Sequence, residues 1–197
     1  MHTDENPRTG RPRSERARRA VLQAARELLT DEGLPGLTVD EIAAHAGVSK
    51  NTIYRWWPNK AAVLMDAFTE ATSDKLAAPA TGTAIQRFRT QVHRVAELMN
   101  EPAARRPFIA LVAASQHDLE LATALRDRFV ADRRAAATRL LEQVAREQPH
   151  RQNVEPGILI DLVYGALYYR LLITGEHLDA AYVDHLLDAT LGHGTDG

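Results

Sequence analysis

A chain of 197 residues is about one and a third times the ~150-residue domain prior, so it is expected to fold as one domain with a small partner, and at about 70% burial it can build a real core. With 45% hydrophobic and 25% charged residues it has the composition of an ordinary globular protein, which excludes a disordered tail, a collagen or a coiled-coil rod. The absence of cysteine excludes a disulfide scaffold, a thiolate zinc site and a cysteine nucleophile, and a net charge of −2 from 24 basic and 26 acidic residues does not by itself point to nucleic acid.

That total conceals an uneven distribution. Residues 1–60 hold ten Lys or Arg and eight Asp or Glu, against 14 and 18 in the remainder. Between Arg8 and Arg19 stand six arginines and one acid, Glu15, so this stretch carries +5. Residues 1–13 read as a flexible basic arm. No apolar secretory segment is found there, and Asp4, Glu5 and Glu15 argue against an organellar transit peptide, so a cytoplasmic location is expected.

Ser14 is placed to cap a helix in which Val21, Leu22, Ala25, Leu28 and Leu29 recur at helical spacing, with Gly33 as its stop. Thr38-Val39-Asp40-Glu41 is a capping box, in which hydroxyl and carboxylate each satisfy an orphan N–H at a helix start. That helix spans Val39 to Ala46 and ends at Gly47, the residue best suited to the left-handed conformation of a tight exit. Ser49 then caps a second short helix, Lys50 to Trp57, before Pro58. Two short helices joined through Ala46-Gly47-Val48-Ser49, with Ile42, Val48, Ile53 and Trp57 to lock them, form a helix-turn-helix pattern. A protruding second helix on a rigid support is what fits the ~12 Å major groove of DNA.

A longer helix follows from Asn59 to about Lys75, and Leu76 to Thr83 reads as a linker. Beyond it every segment has helical period: Ile85, Phe88, Val92, Val95 and Met99, an interruption at Pro102, a shorter helix with Phe108, Leu111 and Val112, and a long one from Leu125 to Val144. Gly157 to Thr174 and Asp179 to Leu191 complete the chain. The apolar stretch from Gly157 to Gly175 is broken by Asp161 and Arg170, which favours a buried helix over a membrane span. The last two helices read as apolar around most of their circumference, so a second subunit is expected to cover the side their own domain leaves open.

The run Leu37-Thr38-Val39-Asp40-Glu41-Ile42-Ala43-Ala44-His45-Ala46-Gly47-Val48-Ser49-Lys50-Asn51-Thr52-Ile53-Tyr54-Arg55-Trp56-Trp57-Pro58-Asn59-Lys60 resembles the DNA-binding signature of the TetR family of transcriptional regulators, over roughly Ser14 to Phe68. Asp161-Leu162-Val163-Tyr164-Gly165 through Tyr168-Tyr169-Arg170-Leu171-Leu172 to Gly175-Glu176 resembles a C-terminal subgroup of such regulators, and His117-Asp118-Leu119-Glu120 looks like its helix start without the proline. The resemblance implies an all-α fold: a three-helix helix-turn-helix domain over 14–60, a connecting helix and linker over 61–83, and a larger helical ligand-binding and dimerisation domain over 84–197. It also assigns roles. Thr38 matches a phosphate contact, Lys50, Asn51, Thr52, Tyr54 and Arg55 match outward positions of the recognition helix, and Trp56 and Lys60 match flanking phosphate contacts. Ile53 and Trp57 match core positions. Arg11 and Arg13, in Thr9-Gly10-Arg11-Pro12-Arg13, resemble an arm that delivers arginines into a narrow minor groove. Asn51 stands where the family often has glycine, and Trp57 replaces a usual phenylalanine.

Side-chain chemistry agrees: Arg55 suits guanine, Asn51 adenine, and the Thr52 methyl a thymine. The expected function is a dimeric, ligand-responsive regulator, a repressor on a palindromic double-stranded DNA operator, released by a small-molecule effector. For the pocket, Phe88, Val92, Met99, Leu111, Phe129 and Tyr168 are candidate walls, with Gln116, Arg126 and Tyr164 as polar contacts, suiting a planar, mainly apolar effector. No cofactor or metal is expected. The competing readings are a dimeric small-molecule adaptor without promoter binding and a helical enzyme. The second would have to use His185 with Asp184 and Asp188, and no metal-ligand motif, nucleotide-binding glycine motif or nucleophile elbow accompanies them. His45, on the supporting helix, is expected to face water.

Overall fold

The computed structural model describes residues 10–31, 33–148 and 155–192, with side chains from Ser14 onward within those ranges. Helix α1 (Gly10–Asp31) buries Val21, Leu22, Ala25, Leu28 and Leu29 along one face. It starts ahead of Ser14, so Gly10 to Arg13 are helical backbone where an extended arm was expected. Pro12 tolerates this because the first N–H groups of a helix have no intrahelical partner to lose. The remainder of the expected arm, residues 1–9, and the side chains of Arg11 and Arg13 lie outside the described part. No acid stands in the first turn of α1, which is therefore an arginine-bearing turn at the positive end of a helix dipole and the least favoured part of the helix.

Helix α2 (Val39–Ala46) opens with the expected capping box: Thr38 Oγ1 accepts from the Glu41 N–H at 3.2 Å, and the Glu41 carboxylate accepts from the Thr38 N–H at 2.7 Å. Gly47, at φ +64°, turns the chain, and Ser49 caps α3 (Lys50–Tyr54). Helix α3 is shorter than the Lys50–Trp57 expectation: the Trp56 N–H bonds back three residues to the Ile53 carbonyl at 2.9 Å, a tighter turn, and Pro58 disfavours helical backbone at Trp57. The chain leaves the helix at Arg55, which turns Trp57 inward to 2% exposure and leaves Trp56 at 41%.

Helix α4 (Lys60–Leu76), capped by Asn59, joins two parts of the molecule. It packs on α1, and its C-terminal half brings Phe68, Thr72 and Leu76 into the body. One core runs continuously from Val21 to Leu187.

The body contains α5 (Ala84–Asn100), α6 (Pro102–Ser115), α7 (Leu119–Leu125), α8 (Ala131–Glu147), α9 (Pro156–Tyr169) and α10 (Ala180–Leu191). Asp118 caps α7 by accepting from the Leu121 N–H at 3.0 Å, so the long helix expected from Leu125 starts earlier, and a π turn, Arg126–Val130, joins α7 to α8. A π turn adds a residue to the helical circuit and rotates the faces after it. Here it buries Phe129 and leaves Val130 exposed. Among the described residues there is no strand.

Helix α9 and the π turn that prolongs it, Arg170–Thr174, bury Ile160, Val163, Leu167 and Leu171 while Ile158, Leu162, Tyr169 and Ile173 stay exposed. Helix α10 differs from expectation: Val183 and Leu187 are buried, but Asp184 and Asp188 engage Arg89 and His93 of α5. The all-round apolar reading therefore holds for α9 and not for α10. Pro156–Thr174 is long and apolar enough by composition to cross a bilayer, yet its two charges are used laterally. Asp161 pairs with Arg134 of α8, and Arg170 pairs with Glu176 and stacks on Tyr182, arrangements that hydrocarbon would penalise.

Candidate nucleic-acid interface and effector cavity

Two hydrophobic side chains decide how α3 is presented. Ile42 from α2 and Ile53 from α3 are fully buried, and Trp57 closes the space beneath them. Lys50, Asn51, Tyr54, Arg55 and Trp56 consequently face solvent on one protruding edge, and Thr52 is half-buried. Four of the expected contact residues already have intramolecular partners. Lys50 Nζ lies 2.6 Å from Asp40, the Thr52 and Ser49 hydroxyls are 3.0 Å apart, and Lys60 Nζ donates to the Leu37 carbonyl at 2.8 Å. Thr38 is exposed with its hydroxyl turned to Glu41.

His45 does not simply face water. Its Nε2 lies 2.9 Å from Glu27 of α1, and hydrogen bonds from Gln23 and His45 hold the Glu27 carboxyl below its usual range. The imidazole thereby clamps α2 to α1.

A polar bridge connects this head to the body. Trp57 Nε1 donates to Asp66 Oδ2 at 2.8 Å, and Arg128 Nη1 donates to Asp66 Oδ1 at 2.7 Å. Arg128 sits in the π turn, next to Phe129, and its carbonyl accepts from the Thr69 hydroxyl of α4 at 3.3 Å. No local sequence pattern announces this bridge, because its three members are brought together only by the packing of α4 against the turn.

The body holds a partly open cavity of about 250 Å³ between α4, α5, the first π turn, α8 and α9. That is just under the ~300–1,000 Å³ usual for ligand pockets, so it suits a small occupant. Of the expected walls, Met99, Phe129 and Tyr168 line it, and so does Tyr164, an expected polar contact. Phe88, Val92 and Leu111 do not; they are fully buried in the core. Gln116 and Arg126 are corrections. Gln116 ends α6 on the surface with its amide on the Val112 carbonyl, and Arg126 points outward to Thr123, because the π turn rotates it away from the face that carries Phe129.

Besides Tyr164, four polar groups line the cavity that were not among the expected ligand contacts: Gln91, Arg133, Arg134 and Asp161. A signal existed for Arg133. It occupies the buried stripe Phe129, Arg133, Ala137, Leu140, Val144, where an arginine interrupts otherwise apolar i, i+4 spacing. Its guanidinium lies 3.9 Å over the Phe129 ring and donates to the Phe129 carbonyl at 2.9 Å. Burial pulls the Arg133 pKa down and pushes that of Tyr168 up to about 12, and Tyr164 moves up for the same reason. Both phenols are therefore neutral donors at physiological pH. Among the described residues no group of three or more His, Asp or Glu side chains is arranged to hold a metal ion. Asp184 and Asp188, the acids considered beside His185, are engaged with α5.

Comparison with known proteins identifies this architecture. Residues 21–67 match the family model described as bacterial regulatory proteins, tetR family, and residues 78–190 match the tetracyclin repressor-like C-terminal domain. The chain is 42% identical over 178 residues to the HTH-type transcriptional regulator YdeS of Bacillus subtilis, covering 90% of this chain and 89% of that protein. It is 27% identical over 185 residues to the DNA-binding transcriptional repressor TetR of Mycobacteroides abscessus, covering 91% and 94%. The crystal structure of the TetR family transcription regulator SCO0332 superposes with a TM-score of 0.76 at 38% identity, covering 90% of this chain and 98% of that one. These relatives are regulators and not enzymes, and the chain belongs to the TetR family of DNA-binding transcriptional regulators.

Proposed function

We propose that the protein is a cytoplasmic repressor that binds a palindromic operator as a homodimer and releases it when a small-molecule effector occupies the body cavity. The observation that carries this reading is the exposed edge of α3, set on the buried Ile42, Ile53 and Trp57. In this reading Lys50, Asn51, Thr52, Tyr54 and Arg55 face the base edges of one major groove, and Thr38, Trp56 and Lys60 hold the flanking phosphates. Lys50 exchanges Asp40 for DNA at little cost, since both partners of that pair are half exposed or more. Lys60 uses one of three ammonium donors on Leu37, and its place at the start of α4 adds the helix dipole to the remaining two. Arg11 and Arg13 swing from the disfavoured first turn of α1 into the adjacent minor groove.

Dimerisation covers the stripe formed by Ile158, Leu162, Tyr169 and Ile173, with α9 and α10 of each subunit packing about a two-fold axis. The two α3 helices then stand about 34–36 Å apart, one turn of DNA. An effector that shifts Phe129 moves Arg128, Asp66 and Trp57 with it, and α4 carries the change to α3. A coupling of ~1–3 kcal/mol corresponds to roughly 5–150-fold weaker DNA binding.

Binding measured by fluorescence anisotropy on a selected operator and its single-base variants tests the residue roles. Lys60→Ala is expected to weaken every sequence alike, and Asn51→Ala to relax preference at one position. Equal loss on all variants for Asn51→Ala would remove Asn51 from base readout.

A further inference from the structure

Two adjacent arginines line the cavity and differ in what faces them. Arg134, at its mouth, is neutralised by Asp161 and also donates to the Gly157 carbonyl at 3.3 Å. Arg133 projects deeper and, among the described residues, has no carboxylate within ion-pair distance. Its Nη1 is held by the Phe129 carbonyl and its Nη2 by the Thr72 hydroxyl at 3.4 Å, both neutral acceptors, while its buried Nε has no acceptor at all. These contacts fix the guanidinium in place without balancing its charge. The other groups that act on it are the neutral hydroxyls of Tyr164 and Tyr168, the amide of Gln91, whose buried Oε1 also lacks a partner, and, beyond ion-pair distance, the exposed Asp132 carboxylate on its own helix. With Arg134 and Asp161 cancelling, the cavity carries one net positive charge in an otherwise apolar wall. A purely structural bridge between α8 and α4 needs no cation, and leaving one buried and unpaired is costly.

We propose that the cavity recognises a small carboxylate with an apolar body, its carboxylate seated on Arg133 and hydrogen-bonded by Tyr164 and Tyr168. The proposal rests on the reading of the cavity as the effector site and adds to it the charge and class of the ligand. A planar carboxylate matches the Nε and Nη2 edge of a guanidinium. Leu76, Val95, Met99 and Phe129 supply the surface for the apolar body. The same Nη2 that would turn to the carboxylate now holds Thr72 of α4, so ligand capture loosens the body's hold on the helix that supports the DNA-reading head.

The test pairs acids with their uncharged primary amides: 2-naphthoate, 4-phenylbutyrate and decanoate with the corresponding amides, titrated into the full-length protein by calorimetry and followed by thermal shift. At least one acid is expected to bind with its amide about 10- to 100-fold weaker, the loss of a charge-assisted contact. Arg133→Met, which keeps length and apolar stem, is expected to erase that acid preference while Arg133→Lys keeps part of it. Amides binding as well as acids, an unchanged preference in Arg133→Met, or no acid binding below about 1 mM would each overturn the proposal. Because the acid and amide comparison uses wild-type protein, it stands even if a variant fails to fold. Operator binding is read in parallel by anisotropy. Acids that bind without releasing DNA would leave the carboxylate site intact and overturn the coupling to DNA, whereas neutral ligands that bind and release DNA would do the reverse.

Discussion

Asp66 is the residue on which the head and the body meet, and replacing it with alanine removes both halves of the bridge at once. Trp57 Nε1 loses an acceptor at 2.8 Å and Arg128 loses one at 2.7 Å. The two losses are unequal. Trp57 is 2% exposed, so its indole N–H is left without a partner beside the core, at a cost of ~1–3 kcal/mol. Arg128 and Asp66 have side chains 36% and 27% exposed, so water replaces much of that pair, and its loss adds about 0–1 kcal/mol. The sum is ~1–4 kcal/mol, which for a chain of this size lowers the melting temperature by roughly 2–16 °C. Thermal unfolding followed by circular dichroism measures it, and hydrogen exchange shows where it acts: amides of residues 53–57 are expected to exchange faster in Asp66→Ala than in wild type. A melting temperature unchanged within about 1 °C, together with unaltered exchange at those amides, would refute the claim that this bridge holds Trp57 beneath α3.

Further outcomes follow from the same packing. Phe108 touches the rings of Phe68, Phe129 and Tyr168 at centroid distances of 6.0, 5.9 and 5.4 Å, so Phe108→Ala is expected to cost ~3–5 kcal/mol in denaturant unfolding, and a loss under about 1 kcal/mol would contradict a rigid aromatic cluster. The Tyr168 phenol, raised by burial to about 12, favours the folded state fully below its unfolded value near pH 10, and that contribution is lost as pH rises through about 12. Tyr168→Phe therefore moves alkaline unfolding to higher pH, and in wild type the phenolate absorbance of Tyr168 appears at higher pH than that of free tyrosine; ionisation together with free tyrosine would contradict its burial. Ile173→Asp, at a side chain 71% exposed on the α9 stripe, is expected to leave the helix content intact and convert a dimer to a monomer in sedimentation velocity, and an unchanged sedimentation coefficient would move the interface elsewhere.

The head was readable because its determinants are local. Thr38 with Glu41, Gly47, Ser49 and Asn59 each act within three or four residues, through caps and a left-handed turn that sequence spacing encodes directly. The start of α1 and the end of α3 differ from the expectation: Pro12 is tolerated in a first turn, and the chain tightens into a three-residue turn at Trp56, ahead of the residue that Pro58 restricts. The cavity was legible only in part. Met99, Phe129, Tyr164 and Tyr168 were found as apolar or aromatic residues on helical stripes, but which of many such residues border a space depends on where α5, α8 and α9 diverge. The π turn compounded this, since the extra residue turns Arg126 outward and Phe129 inward. Arg133 sits within the polar run Asp132-Arg133-Arg134, although its i, i+4 relation to Phe129 and Ala137 places it on the buried stripe.

The central claim is that the α3 edge reads a specific palindrome, and one measurement tests it most directly. Fragments selected from random double-stranded DNA by the purified full-length protein are compared with scrambled ones by anisotropy across a salt series. A palindromic site bound at least ~10³-fold more tightly than scrambled DNA, with affinity falling linearly in log salt and lost on Arg55→Ala, is the result expected. Binding to the selected fragment no tighter than to the scrambled one, and insensitive to salt, would contradict the account and leave a dimeric ligand-binding protein without an operator.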